Sequence, residues 1–155
     1  MKTYSPAEAL HRAAAYCSKS EHCISEIKEK LHQWGLEKPD AEAIVDRLLK
    51  EKFIDESRFC RSFINDKYKY SRWGRIKISY ALRMKRIPDS LIYDTLDEVI
   101  DETIYNDNLT ALLREKLKSV KGAHKAEINA KLFRFAAGRG FDSSEISAAL
   151  KQLER

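Results

Sequence analysis

Three stretches of this chain carry the same apolar register. Ile27, Leu31 and Leu36 are followed by Ile44 and Leu48. Ile78, Leu82 and Ile87 are followed by Ile92 and Leu96. Leu132, Ala136 and Phe141 are followed by Ile146 and Leu150. In each set the first three stand at i, i+4 and i+9, and the set closes on an Ile-x-x-x-Leu pair. A spacing of four keeps two side chains on one face of a helix, and the step of five crosses a turn. The register returns after 51 residues (Ile27 to Ile78) and again after 54 (Ile78 to Leu132). A period near 50 with one supersecondary unit per repeat predicts a linear array in which neighbours cover each other's apolar faces.

Punctuation along the chain places three helices in each unit. Ser5-Pro6-Ala7-Glu8 combines a capping serine, a proline at the first helical position and a capping-box glutamate. Leu10, Ala13, Ala14 and Cys17 then share a face. Ser20 is expected to cap a second helix with Ile24, Ile27, Leu31 and Trp34 inward, stopped by Gly35. Pro39 and Asp40 open a third. In the second unit Phe59, Phe63 and Tyr68 are expected inward on a helix that starts near Asp55 and frays before Trp73-Gly74. Ile78 and Leu82 mark the next helix, and Ile87-Pro88-Asp89 breaks the chain before the stripe Ile92, Leu96 and Val99. In the third unit a helix begins near Asp101 with Ile104, Leu112, Leu113, Leu117 and Val120 expected inward. Ile128, Leu132, Phe135 and Ala136 follow. Asp142-Ser143-Ser144-Glu145 is a capping box for the last helix. The units are drawn at residues 1–54, 55–100 and 101–155. The fold class is all-α, an elongated array of three tandem three-helix repeats of helix-turn-helix type, whose relative orientation the linkers near 54 and 100 leave open.

Composition excludes several alternatives. Five Gly and three Pro in 155 residues are too few for the tight turns of a sandwich or barrel. No apolar run approaches a membrane span and no apolar leader precedes Ser5, so a cytoplasmic chain without membrane contact is expected. Three Cys without a framework spacing point to reduced thiols.

No catalytic constellation emerges. Cys17, His22, Cys23 and His32 lie near one another, but Cys-x5-Cys-x8-His matches no common zinc spacing, and Cys17 sits on an apolar stripe. There is no phosphate-cradling glycine loop, no GxSxG and no HExxH. The expectation is a protein without enzymatic activity, cofactor or metal, acting as a monomer. Charge is more informative. The formal net charge is +5, and no acid occurs between Asp66 and Asp89, a window with Lys67, Lys69, Arg72, Arg75, Lys77, Arg83, Lys85 and Arg86. Such a belt can contact phosphates or an acidic protein groove, or it can be a solvated face whose last cations complement a helix dipole. Arg72, Arg75, Lys77, Arg83, Lys85 and Arg86 are the candidate contacts. Tyr68, Tyr70 and Trp73 lie among them, Trp73 being expected between repeats.

One run is more specific than periodicity. Phe53-Ile54-Asp55-Glu56-Ser57-Arg58-Phe59-Cys60 joins the first two units. Gly74-Arg75-Ile76-Lys77-Ile78, Leu82 and Lys85-Arg86-Ile87 follow. This resembles the RecX family of bacterial recombination regulators at Ile54, Asp55, Arg58, Phe59, Gly74, Arg75, Ile76, Leu82, Lys85 and Ile87. Arg86 departs from the pattern, which usually has Gly there, so this turn must be left-handed at a non-glycine residue or end its helix differently. The resemblance implies a modulator of the RecA recombinase that binds the RecA–DNA filament, lies in its groove and limits assembly, ATP hydrolysis and strand exchange in recombination and DNA repair. Single- or double-stranded DNA could meet the basic belt. The alternative is a stand-alone DNA-binding protein built of helix-turn-helix-like units.

Overall fold

A computed structural model describes residues 3–154, and Met1, Lys2 and Arg155 lie outside it. The described residues form nine α-helices and no strand. The first repeat is α1 (Pro6–Lys19), α2 (Ile24–Gln33) and α3 (Lys38–Lys50). The second is α4 (Glu56–Lys69), α5 (Arg75–Met84) and α6 (Asp89–Val99). The third is α7 (Glu102–Leu117), α8 (Lys125–Gly138) and α9 (Ser143–Leu153).

The repeated register is the core. Ile27, Leu31, Leu36, Ile44 and Leu48 are buried, as are Ile78, Leu82, Ile87, Ile92 and Leu96. Leu132, Ala136, Phe141 and Ile146 follow suit, with Leu150 packed at the edge. The turn inside each i+4 to i+9 step is also repeated. Gly35 (φ 83°), Arg86 (φ 62°) and Gly140 (φ 100°) occupy equivalent positions, all left-handed. Arg86 therefore keeps the turn of Gly35 and Gly140 and carries the strain that glycine avoids. In all three the next residue donates its N–H to the carbonyl five residues back: Leu36 to Leu31, Ile87 to Leu82 and Phe141 to Ala136.

Capping follows the sequence with one correction. Ser5–Glu8 and Asp142–Glu145 form capping boxes, and Asp55 and Asp101 cap α4 and α7. Ser20 does not cap α2; it closes α1, and α2 starts after Cys23, whose N–H donates to Glu26 Oε1 (3.1 Å). Cys23 at this position is fully buried, a gain that a capping serine would forgo.

Two apolar registers also differ. On α4, Ile64 and Cys60 are buried with Phe59 and Tyr68, while Phe63 sits at the margin. On α7, Ile104 and Leu117 face solvent, and Tyr105, Leu109, Leu112 and Leu113 fill the interior. α7 contacts α4 as well as α8 and α9, so its inward face must serve two repeats and is wider than one stripe.

The first repeat has its own core, whereas the second and third share one, from Phe59 to Ala149, which Cys23 of the first repeat joins. Ile100 is buried within the shared core, so the junction near residue 100 is packed rather than free. The accessible surface, 9651 Å² for 18.0 kDa, exceeds by about a fifth the roughly 8,000 Å² of a compact monomer of that mass. An array of trios in tandem has that excess. No helix among the described residues is long and apolar enough to cross a membrane.

Candidate partner-binding surface

The middle repeat contains most of the candidate residues, and the structure divides them into clamps and surface. The run at 54–59 is a clamp. Ile54 and Phe59 are buried. Asp55 accepts from the Arg58 N–H (3.0 Å), a bond that holds its carboxyl below the usual range. The Arg58 guanidinium bonds to Glu21 and to the carbonyls of Lys52 (3.1 Å) and Phe53 (3.3 Å). Glu56 accepts the N–H of Ile24 (3.1 Å), capping α2 from the next repeat. These residues hold repeat one on repeat two.

Gly74 and Arg75 clamp the other junction. The Gly74 N–H donates to Arg139 O (2.8 Å) and the Ile76 N–H to Gly140 O (3.0 Å). A Cβ on Gly74 would stand 2.3 Å from the carbonyl carbon of Gly140, so only glycine permits this crossing. The Arg75 N–H donates to Tyr105 Oη (2.9 Å), and its guanidinium pairs with Glu102 and with Glu145 (3.4 Å) while lying 4.3 Å from the Tyr105 ring centroid. Burial pushes the Tyr105 hydroxyl far above its ordinary value, so it stays a neutral donor to Glu145 (3.3 Å). Arg75 thus holds the second repeat on the third.

The other belt cations are largely neutralised too. Lys85 Nζ is 2.7 Å from Glu26 Oε2, and Arg72 Nη1 is 3.7 Å from Glu115 Oε1. Arg83 pairs with Asp89 (2.9 Å) and bonds to the Tyr93 hydroxyl. Lys77 and Lys67 lie over the ring of Trp73, at 4.5 and 4.8 Å, and Trp73 packs against the shared core as expected. Arg86 is exposed beyond α5. The cations of the block are thus distributed between two junctions and one surface, with carboxylates beside Lys67, Arg72, Arg75, Arg83 and Lys85.

That surface is the outer face of α5. Ile76 (58% exposed), Tyr80 (63%) and Met84 (67%) stand four residues apart, and Leu82 on the opposite side is buried. Tyr93 of α6 is half-exposed beside them. Between α5 and α6 lies a groove of about 240 Å³ lined by Ile76, Ser79, Arg83, Tyr93, Leu96 and Asp97. Large apolar side chains in register on solvent, bordered by Arg83 and Arg86, have the composition of a protein-contact surface. Sequence reasoning singled out Ile76 and the arginines but missed Tyr80, Met84 and Tyr93. The signal was a second four-residue stripe on α5, set away from Ile78 and Leu82.

The three trios match, one after another, the first, second and third three-helix domains of RecX, over residues 9–48, 55–96 and 103–150. The chain belongs to the RecX family. Curated RecX relatives, each named regulatory protein RecX, agree over most of both chains. That of Prosthecochloris aestuarii is 32% identical over 146 residues, 94% of this chain and 93% of its own. That of Herminiimonas arsenicoxydans is 33% identical, with 92% and 91% covered. That of Clostridium acetobutylicum is 31% identical over 94% of this chain and 68% of its own. Solved RecX structures share the fold. The crystal structure of RecX from Lactobacillus salivarius superposes with a TM-score of 0.85 at 17% identity, covering 96% of each chain. A second crystal structure, of a regulatory protein RecX, gives 0.85 at 22% identity over 94% of this chain and 71% of that one.

Proposed function

We propose that this RecX-family chain regulates the RecA recombinase by binding the RecA–DNA filament, without chemistry of its own, and so limits filament growth, ATP hydrolysis and strand exchange. The observation that carries this reading is the exposed α5 stripe of Ile76, Tyr80 and Met84 bordered by Arg83 and Arg86. An apolar centre with Arg86, unpaired among the described residues, and Arg83, paired to Asp89, at its rim suits a partly apolar protein surface. Repeats in tandem along an elongated body support it further, because several weak contacts on one chain raise each other's effective concentration along a polymer. A ligand that prefers one filament state shifts the assembly equilibrium toward it. Pairing of Arg72, Arg75, Arg83 and Lys85 with carboxylates weighs against bare DNA as the partner of the belt.

The test is the rate of RecA-dependent ATP hydrolysis on single-stranded DNA. The wild-type chain is expected to slow it at sub-stoichiometric amounts, and Tyr80→Glu/Met84→Glu to lose that effect while keeping its helicity. No effect of the wild-type chain at excess would overturn the reading.

A further inference from the structure

The third repeat holds a basic corner. Residues 116–134 contain six Lys or Arg and one Glu, a net +5 that equals the formal charge of the whole chain, so the remaining residues sum to zero. The fold gathers four of the six cations around one hollow, while Lys125 is paired with Glu154 (2.8 Å). The end of α7, the α7–α8 loop and the outer side of α8 enclose a concave space of about 470 Å³, lined by Lys116, Lys121, Lys131 and Arg134 with Ser119 and Phe135. Unlike the middle belt, this cluster is poorly neutralised. Lys131 reaches Glu127 (3.5 Å) and donates to the Lys121 carbonyl (2.5 Å). Among the described residues none of Lys116, Lys118, Lys121 and Arg134 is held in an ion pair, and Glu115 is turned to Arg72.

We propose that this corner binds the phosphodiester backbone of a nucleic-acid strand, without reading its bases. Helix-dipole compensation explains Lys116 and Lys118 at the end of α7, but not Lys131 and Arg134, which stand three apart in the middle of α8. Uncompensated like charges around one hollow repel one another, and a polyanion relieves that repulsion. The lining also selects the class of polyanion. An acidic protein segment would need an apolar anchor, yet the Phe135 ring is covered by Lys116 (5.2 Å) and Arg139 (5.5 Å). The same cover leaves no aromatic face on which a base could stack. Flexible lysines around a shallow hollow suit phosphates as point charges. The site lies on the third repeat and does not rest on the partner assigned to α5.

The test is fluorescence anisotropy of a labelled oligothymidylate and of a mixed-sequence duplex with the full chain and no RecA, at about 50 and about 200 mM salt. The exposed pair is reversed as Lys121→Glu/Arg134→Glu, with Lys19→Glu/Lys50→Glu, exposed on the first repeat, as a control. The corner variant is expected to lose about tenfold in low-salt affinity and to lower the salt slope by roughly one to two, with the control within about twofold of wild type. If reversal impairs folding, Lys121→Gln/Arg134→Gln is expected to lose about threefold with an unchanged melting temperature. Unchanged affinity and slope in a folded corner variant would overturn the assignment. So would displacement of the oligonucleotide by polyglutamate as effectively as by unlabelled strand, which would give the corner to acidic proteins. Because RecA is absent, failure here leaves the α5 reading standing, and the converse also holds.

Discussion

The ammonium of Lys85 stands 2.7 Å from the carboxylate of Glu26, across the junction of the first and second repeats. The Ser25 hydroxyl donates to the Lys85 carbonyl (2.7 Å), so one residue of the second repeat is gripped at both ends by α2. A cation of the belt is thereby spent on architecture.

This junction is expected to be acid-sensitive. Burial pushes the Glu26 carboxyl upward, but hydrogen bonds from Lys85 and the Cys23 N–H outweigh it and hold the group below its ordinary 4.5. Asp55 is likewise held below 3.8, first by the Arg58 N–H. A lowered folded value gives stability that is fully present above the unfolded value and lost as pH falls through the folded one. Glu56 has the opposite sign: burial raises it, and its contribution fades as pH rises through its folded value. Urea midpoints of the wild-type chain should therefore fall between about pH 5 and pH 3, and those of Glu26→Gln should fall less. Equal slopes would remove Glu26 from the account.

Gly74→Ala places a methyl group against the backbone of Gly140, where no flexible side chain can yield. The second and third repeats must separate locally, at a cost of about 2–3 kcal/mol. Chemical denaturation measures this directly, and a loss below ~0.5 kcal/mol would show that the crossing is loose.

Arg86→Gly should stabilise the chain. Its left-handed backbone costs about 1–2 kcal/mol relative to glycine, of which the greater freedom of glycine in the unfolded chain returns ~0.4–1 kcal/mol. A net gain of about 0.5–1 kcal/mol is expected, with weaker RecA-filament binding because a rim cation is lost. A gain in both would remove Arg86 from the contact surface.

Arg75→Met should act on stability rather than through the partner-binding surface. Removing a guanidinium shared by Glu102, Glu145 and the Tyr105 ring leaves Glu145 and Tyr105 without their cation. A loss of about 2 kcal/mol is expected, with filament affinity kept at a temperature where the variant is folded. Normal stability with lost binding would return Arg75 to the contact residues.

The fold was legible because the apolar register is local and repeated: Ile27, Ile78 and Leu132 begin the same pattern, and each trio obeys it. At Arg86 the sequence left two readings, a left-handed residue or a different helix end, and only the backbone, with φ 62°, decides for the first. What could not be read were pairings across repeats. Glu26, Glu102, Glu145 and Glu115 lie far along the chain from Lys85, Arg75 and Arg72, so a belt that looks continuous in sequence is partly paired in space. The inward side of α7 was misjudged for the same reason. Ile104 and Leu117 fit a stripe facing one neighbour, whereas Tyr105 and Leu109 answer to the second repeat as well as the third. The α5 surface was half legible: the arginines drew notice by charge, but Tyr80 and Met84 stand out only once Ile78 and Leu82 are known to face inward.

Co-sedimentation with RecA-coated single-stranded DNA tests the central claim most directly. The wild-type chain should pellet with the filament, and Tyr80→Glu/Met84→Glu should stay in the supernatant while melting as the wild type does. Equal pelleting of both, or a wild-type chain that never leaves the supernatant, would contradict the account.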